Sequence, residues 1–223
     1  MEGSELEEKA RPSLSRDHVL ESAVALADDI GIEALTIRKL ATAMGTKPMT
    51  IYRHVPSKEA IVDGMVDSVF AEIERPSPDG DWLGALRRRC VSARAVLNRH
   101  PWAAPLMESR TSPGPETLGH HDAVVGCLRR GGLSWPMVAH ANAMLDAYIY
   151  GFALLEASLP SQAEGEFVGA VEDIAAAMDA DAYPHLVGFT VEHVFQPGYE
   201  FSDTFEVGLD VILEAVRGFA GDA

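Results

Sequence analysis

The chain has 223 residues, with 18 Lys and Arg against 34 Asp and Glu, and a net charge of -16. Its 47% hydrophobic content is too high for a disordered protein, and no apolar run reaches the ~18 residues of a membrane-spanning helix. The opening MEGSELEEKARPS lacks an apolar h-region, and Cys90 and Cys127 offer neither a disulfide framework nor a Cys-rich metal site, so a reduced, cytoplasmic protein is expected.

The total charge argues against nucleic acid, because a polyanion repels phosphates. The charge is unevenly spread, however. Residues 34–60 hold Arg38, Lys39, Lys47, Arg53 and Lys58 against Glu59 alone, a net charge of +4. Residues 61–223 hold 24 acids and 10 arginines, netting -14. Such asymmetry points to a nucleic-acid-binding segment.

In chain order, residues 1–14 read as a disordered polar tail. From Ser15, the residues Val19, Ala23, Leu26, Ala27 and Ile30 recur at helical spacing, with Gly31 as the stop. Thr36 is a good N-cap for a second helix carrying Ile37, Leu40, Ala41 and Met44, which Gly45 ends. A short third helix is expected from about Lys47 to His54, with Pro48 tolerated in its first turn. Ser57 caps a fourth helix running to about Ile73. The Pro-, Gly- and Asp-containing stretch 74–81 marks a boundary. Further helices are expected at about 82–99, 101–109, 115–130, 136–158, 166–178, 182–195 and 203–219. No alternating strand pattern persists, so the fold class is all-α.

Two short helices joined by Gly45-Thr46 and flanked by longer ones form a helix-turn-helix pattern. A recognition helix must be short and polar on one side to enter the major groove, and apolar behind to anchor on its partner. Ile51 supplies the anchor; Lys47, Thr50 and Arg53 supply the polar side.

The stretch LTIRKLATAMGTKPMTIYRHVPSKEAIVDGM (35–65) resembles the N-terminal domain of the tetracycline-repressor family, densely and without gaps. The resemblance implies a helix-turn-helix domain over 15–60, a connecting helix over 61–73 and a ligand-binding and dimerisation domain over 74–223. It places Lys47, Pro48, Met49, Thr50 and Arg53 at the base-facing end of the recognition helix. Arg53 suits guanine O6/N7, and Met49 or the Thr50 methyl suits a thymine methyl. Tyr52, His54 and Lys58 fall at phosphate positions, and Arg38 is a further phosphate or base candidate. The expected partners are a palindromic double-stranded DNA operator, read by a homodimer, and a small-molecule effector that releases it.

Two later helices carry seams at alternating spacings of three and four: Met137, Ala141, Met144, Tyr148, Gly151 or Phe152, and Leu155 in one; Phe205, Leu209, Ile212, Val216 and Phe219 in the other. Met144, Tyr148, Leu155, Phe205, Leu209, Ile212 and Val216 are the interface candidates. The segment 205–219 also resembles the last helix of the family's C-terminal domain, so these residues are expected at a dimer interface. The family pattern further implies a cavity among the middle helices. Its candidate residues are His100, Trp102, Met107, Arg110, His121, Asn142, Asp146 and Phe152. The tetracycline repressor itself holds a magnesium–drug chelate through two histidines, whose positions fall near Ile73 and Met107 here. A different, apolar or aromatic effector is therefore expected. His120 and His121 point about 100° apart on a helix and chelate poorly together; no metal or cofactor is expected. There is no Gly-x-Ser-x-Gly elbow, P-loop, His-Glu-x-x-His or dinucleotide fingerprint, and no enzyme is expected. The alternative is a ligand-independent DNA-binding dimer or an adaptor for a protein partner.

Overall fold

The structure, a computed structural model, describes residues 14–77, 79–159 and 166–221. The tail expected over 1–14 lies, Leu14 apart, outside the described residues. Ten α-helices and no strand occur among the described residues. The first four are α1 (Arg16–Ile30), α2 (Ile37–Ala43), α3 (Pro48–Ile51) and α4 (Lys58–Glu72). The remainder are α5 (Trp82–Arg99), α6 (Pro115–Arg130), α7 (Trp135–Ser158), α8 (Glu166–Ala177), α9 (Pro184–Phe189) and α10 (Thr204–Gly218).

Local chemistry sets the boundaries of the DNA-binding head. Ser15 Oγ accepts from the His18 amide at 3.2 Å, Thr36 Oγ1 from Lys39 at 3.2 Å and Ser57 Oγ from Ala60 at 3.1 Å. Each satisfies one of the amides a helix start leaves unpaired. Between α2 and α3, Gly45 stands at φ 63° and the Thr46 amide donates to Ala41 O at 2.9 Å. This left-handed turn ends α2 by bonding its orphan carbonyls.

Helix α4 is buried on most of its circumference, through Ile61, Val62, Met65, Val66, Val69 and Phe70. It packs on both α1 and α6. At Gly64 the α1–α4 approach is so close that an added Cβ would stand 2.7 Å from a Leu20 methyl. In the regulatory body, α5 packs chiefly on α7, and α10 closes over both.

Three expected helices differ. The third helix, expected from about Lys47 to His54, is the single turn Pro48–Ile51. Over 101–109 there is only a 3-10 turn at Ala104–Leu106, because Pro101 and Pro105 remove amide donors within one short span. The helix expected over 182–195 is α9 followed by a π-helical turn, Thr190–Val194. No helix among the described residues is long and apolar enough to cross a membrane.

Candidate DNA-binding face and ligand cavity

Ile51 is fully buried and fixes α3 to the head. Around it Lys47, Pro48, Met49, Tyr52 and Arg53 are exposed, and Thr50 and His54 are half-buried. Met49 is 72% exposed, so its apolar side chain does no work in the core and is free to meet a partner. Arg38, Lys39 and Lys58 are exposed as well. None of the five cations of the 34–60 window forms an ion pair among the described residues. The face is therefore a cluster of unneutralised positive charge around the exposed Met49, with Pro48 and Tyr52 exposed beside it.

Below the head, a cavity of about 180 Å³ lies between α4, the segment after the 3-10 turn, and α6. Met107, Arg110 and His121, three of the expected pocket residues, line it. The sequence reading missed its α4 wall, Asp63 and Val66. Asp63 accepts from Arg110 Nε at 2.6 Å. One turn further along, Asp67 accepts from both the amide and the hydroxyl of Thr117, at 2.8 and 2.9 Å. Two carboxylates on one face of α4 thus grip both ends of the segment 110–117. Carboxylates one turn apart on a helix read as a solvated face in sequence, so nothing distinguished them.

Beside the cavity runs a buried polar chain. Arg89, fully buried on α5, donates from Nη2 to Asp146 Oδ1 at 2.8 Å and from Nε to His120 Nε2 at 3.0 Å. The other Asp146 oxygen accepts from Asn142 at 2.9 Å. Burial disfavours the Arg89 charge, but Asp146 more than compensates and the guanidinium stays charged. His120 accepts at Nε2 and carries its proton on Nδ1; burial first, then Arg89, push its pKa down to about 3. Burial, reinforced by Asp146, also raises the Tyr150 hydroxyl. Asn142 and Asp146 therefore serve this chain. Glu108, His121 and Asp146 bring one donor atom each within 4.8 Å of one another, but both oxygens of Asp146 are already engaged by Arg89 and Asn142.

Three expected pocket residues lie elsewhere. His100 and Trp102 turn away from the cavity and bond Asp28 of α1, at 2.8 and 2.7 Å. Phe152 stacks on Phe201 at 5.0 Å and meets Phe205 at 5.1 Å, beneath the Arg94 guanidinium. His100 and Trp102 stand among the middle helices expected to surround a cavity, but the turn 100–103, closed by the Ala103 amide on His100 O at 2.9 Å, sets them against α1.

Residues 19–65 match the bacterial regulatory proteins of the tetR family, and residues 76–218 match the tetracyclin repressor-like C-terminal domain. The chain is 32% identical over 218 residues to the HTH-type transcriptional repressor DrrR1 of Streptomyces coeruleorubidus, covering 93% of this chain and 78% of that protein. The chain belongs to the tetR family of bacterial transcriptional regulators. Tetracycline repressor protein class D of Escherichia coli is 27% identical to this regulator over 216 residues, 92% of this chain and 95% of that one. ActR of Streptomyces coelicolor, solved in complex with actinorhodin, superposes with a TM-score of 0.76 at 26% identity over 93% of this chain and 99% of that one.

The regulator's two seams divide differently from the sequence expectation. Phe205, Leu209 and Val216 are fully buried within the single chain, and Tyr148 and Ile212 are half-buried there. Phe205, Leu209 and Val216 belong to the chain's own core, and Tyr148 and Ile212 pack against it. Tyr148 donates to Phe205 O at 3.0 Å. Helix α10 carries a second apolar stripe, Val207 and Val211, 67% and 68% exposed. Spacings of three and four find the richest stripe but cannot tell burial within a chain from burial between chains. Met144 and Leu155 of α7 remain exposed in the single chain.

Proposed function

We propose that this regulator is a cytoplasmic homodimeric repressor, holding a palindromic operator until a small molecule enters the cavity beside α4. It divides into a head (15–60), a connecting helix (61–73) and a regulatory body (74–223). Lys47, Pro48, Met49, Thr50 and Arg53 read base edges; Arg38, Tyr52, His54 and Lys58 hold phosphates. Two heads spaced one helical turn apart, ~34 Å, read the two half-sites. The dimer forms through Met144 and Leu155 of α7 with Val207 and Val211 of α10, large apolar side chains that the single chain leaves uncovered.

The observation that carries this reading is the double role of α4. Its Asp63 and Asp67 hold the segment 110–117 over the cavity, and the neighbouring Gly64 packs closely on α1 of the head. A ligand that parts the segment from α4 favours one head position over another, by its differential affinity for the two. The structural relative ActR was solved with actinorhodin, which makes actinorhodin the first probe to try.

The test begins by enriching duplexes from a random pool on the full-length protein and measuring their affinity by fluorescence anisotropy. An enriched palindrome, released on adding actinorhodin or a hit from a thermal-shift screen, is the expected outcome. No enriched duplex refutes the regulator reading for this chain. An enriched duplex that no stabilising ligand releases supports the ligand-independent alternative. For the dimer, Val211→Glu converts a dimeric mass to a monomeric one in light scattering at micromolar concentration.

A further inference from the structure

We propose that His100 and Trp102 are positioning residues for operator binding, fixing the DNA-binding head at one angle to the regulatory body through Asp28 and Glu72. This rests on the regulator reading and deepens it. Asp28 sits in the last turn of α1. One of its oxygens, Oδ1, receives both His100 Nδ1 at 2.8 Å and Trp102 Nε1 at 2.7 Å. The second ring nitrogen of His100, Nε2, reaches Glu72 Oε1 at the end of α4 at 3.2 Å. The other Glu72 oxygen accepts from Arg99 at 2.6 Å. Three elements, α1, α4 and the end of α5, therefore meet on one imidazole.

Both ring nitrogens of His100 face carboxylate oxygens, and the Trp102 N–H donates to one of those same carboxylates. Such charge-assisted bonds are directional and hold an angle as well as a distance. Beside them, apolar packing does not close the seam. A groove of about 340 Å³ separates Gly31 and Ile32 of the head from Pro101 and Pro105 of the body. Close packing of α1 on α4 at Gly64 joins head and body on one side, and the hydrogen bonds hold the edge that the groove leaves without apolar contact. The turn bearing Trp102 leads within five residues to Met107 on the cavity wall.

The test uses the full-length protein with one spin label in the head at Thr42→Cys and one in the body at Asp122→Cys. The label–label distance distribution is measured by pulsed electron resonance without DNA. Asp28→Ala is expected to broaden it about twofold, by releasing a hinge motion. Trp102→Phe, which keeps the ring and loses only the N–H, broadens it less. Asp28→Asn keeps the accepting oxygen and restores the narrow distribution. Val124→Ala, a core cavity remote from the joint, leaves it unchanged while lowering the melting temperature. In parallel, affinity for the enriched duplex falls about tenfold in Asp28→Ala, as the binding-competent head angle becomes a minor population. Unchanged widths in both Asp28→Ala and Trp102→Phe, or equal broadening in Val124→Ala, overturn the proposal. A wild type that enriches no duplex refutes the regulator reading alone, because the distance measurement still judges the joint.

Discussion

The head and the body use their cations in opposite ways. Arg38, Lys39, Lys47, Arg53 and Lys58 of the head are exposed and form no ion pair among the described residues. In the body, Arg75, Arg87, Arg88, Arg89, Arg94, Arg99, Arg110 and Arg217 are each paired with a carboxylate. These are eight of the ten arginines beyond residue 60. A free cation retains its full attraction for a phosphate, whereas a paired one is already neutralised locally and contributes to structure. Net charge thus hides what partition reveals: a chain of charge -16 can present a binding face whose positive charge is uncancelled. Binding through the heads should weaken with salt in proportion to the phosphates their free cations neutralise.

The strongest way to break this contrast is at Arg89. Arg89→Met leaves Asp146 buried without its counter-charge and is expected to destabilise the protein by about 3–5 kcal/mol. Adding Asp146→Leu removes the orphaned charge and recovers most of that loss. Urea denaturation of both variants checks this. A single variant as stable as the wild type would mean that the pair is not the electrostatic keystone of the body.

The head answers differently to lost charge. Arg53→Ala is expected to cost about 1–3 kcal/mol at the base it reads and to relax choice there. Lys58→Ala should instead weaken all duplexes alike and reduce the salt slope by about one. Anisotropy titrations across several salt concentrations and operator variants separate the two. Identical sequence profiles for both variants would erase the division between base and phosphate contacts.

The head was legible in sequence because its determinants are local. Thr36, Gly45 and Ser57 act within three to five residues of where they sit, and Ile51 and Met49 differ by side-chain type on a helix of one turn. The body was legible as helices but less so as a site. Arg89 stands in the run Arg87-Arg88-Arg89, which reads as surface; only the packing of α5 between α6 and α7 turns the third arginine inward. His100 and Trp102 read as pocket residues because their contact with α1 depends on where Asp28 lies, 72 residues away from His100. On α10, two apolar stripes compete for one core, and the partner that Phe205 finds in Tyr148 decides between them.

Burial of His120 gives the body an acid sensitivity that the head does not share. Its pKa is about 3 in the folded chain against an ordinary 6.5. Below about pH 6.5 the unfolded chain takes up a proton that the folded chain refuses, so unfolding is favoured. This contribution is complete above pH 6.5 and is lost as the pH falls toward 3, at about 1.4 kcal/mol per pH unit. His120→Gln keeps an acceptor for Arg89 and removes the titration. Between pH 6 and 5 the wild type should lose about 1 kcal/mol more than this variant in urea denaturation. Equal losses would place His120 in contact with solvent.

The smallest expected effect tests the partition most directly. Arg217 pairs with Glu214 one turn earlier on α10, and both are well exposed. Arg217→Ala should therefore change stability by less than about 0.5 kcal/mol. It removes the same single positive charge as Lys58→Ala, so a protein that met DNA through its total charge would lose as much salt slope from either. A protein that meets DNA through unpaired head cations loses slope from Lys58→Ala alone, because Arg217 is already compensated by Glu214 and has no phosphate to release counterions from. Matched salt titrations of the two variants on one duplex decide between these, and a reduced slope in Arg217→Ala would return the whole chain's charge to the binding energy.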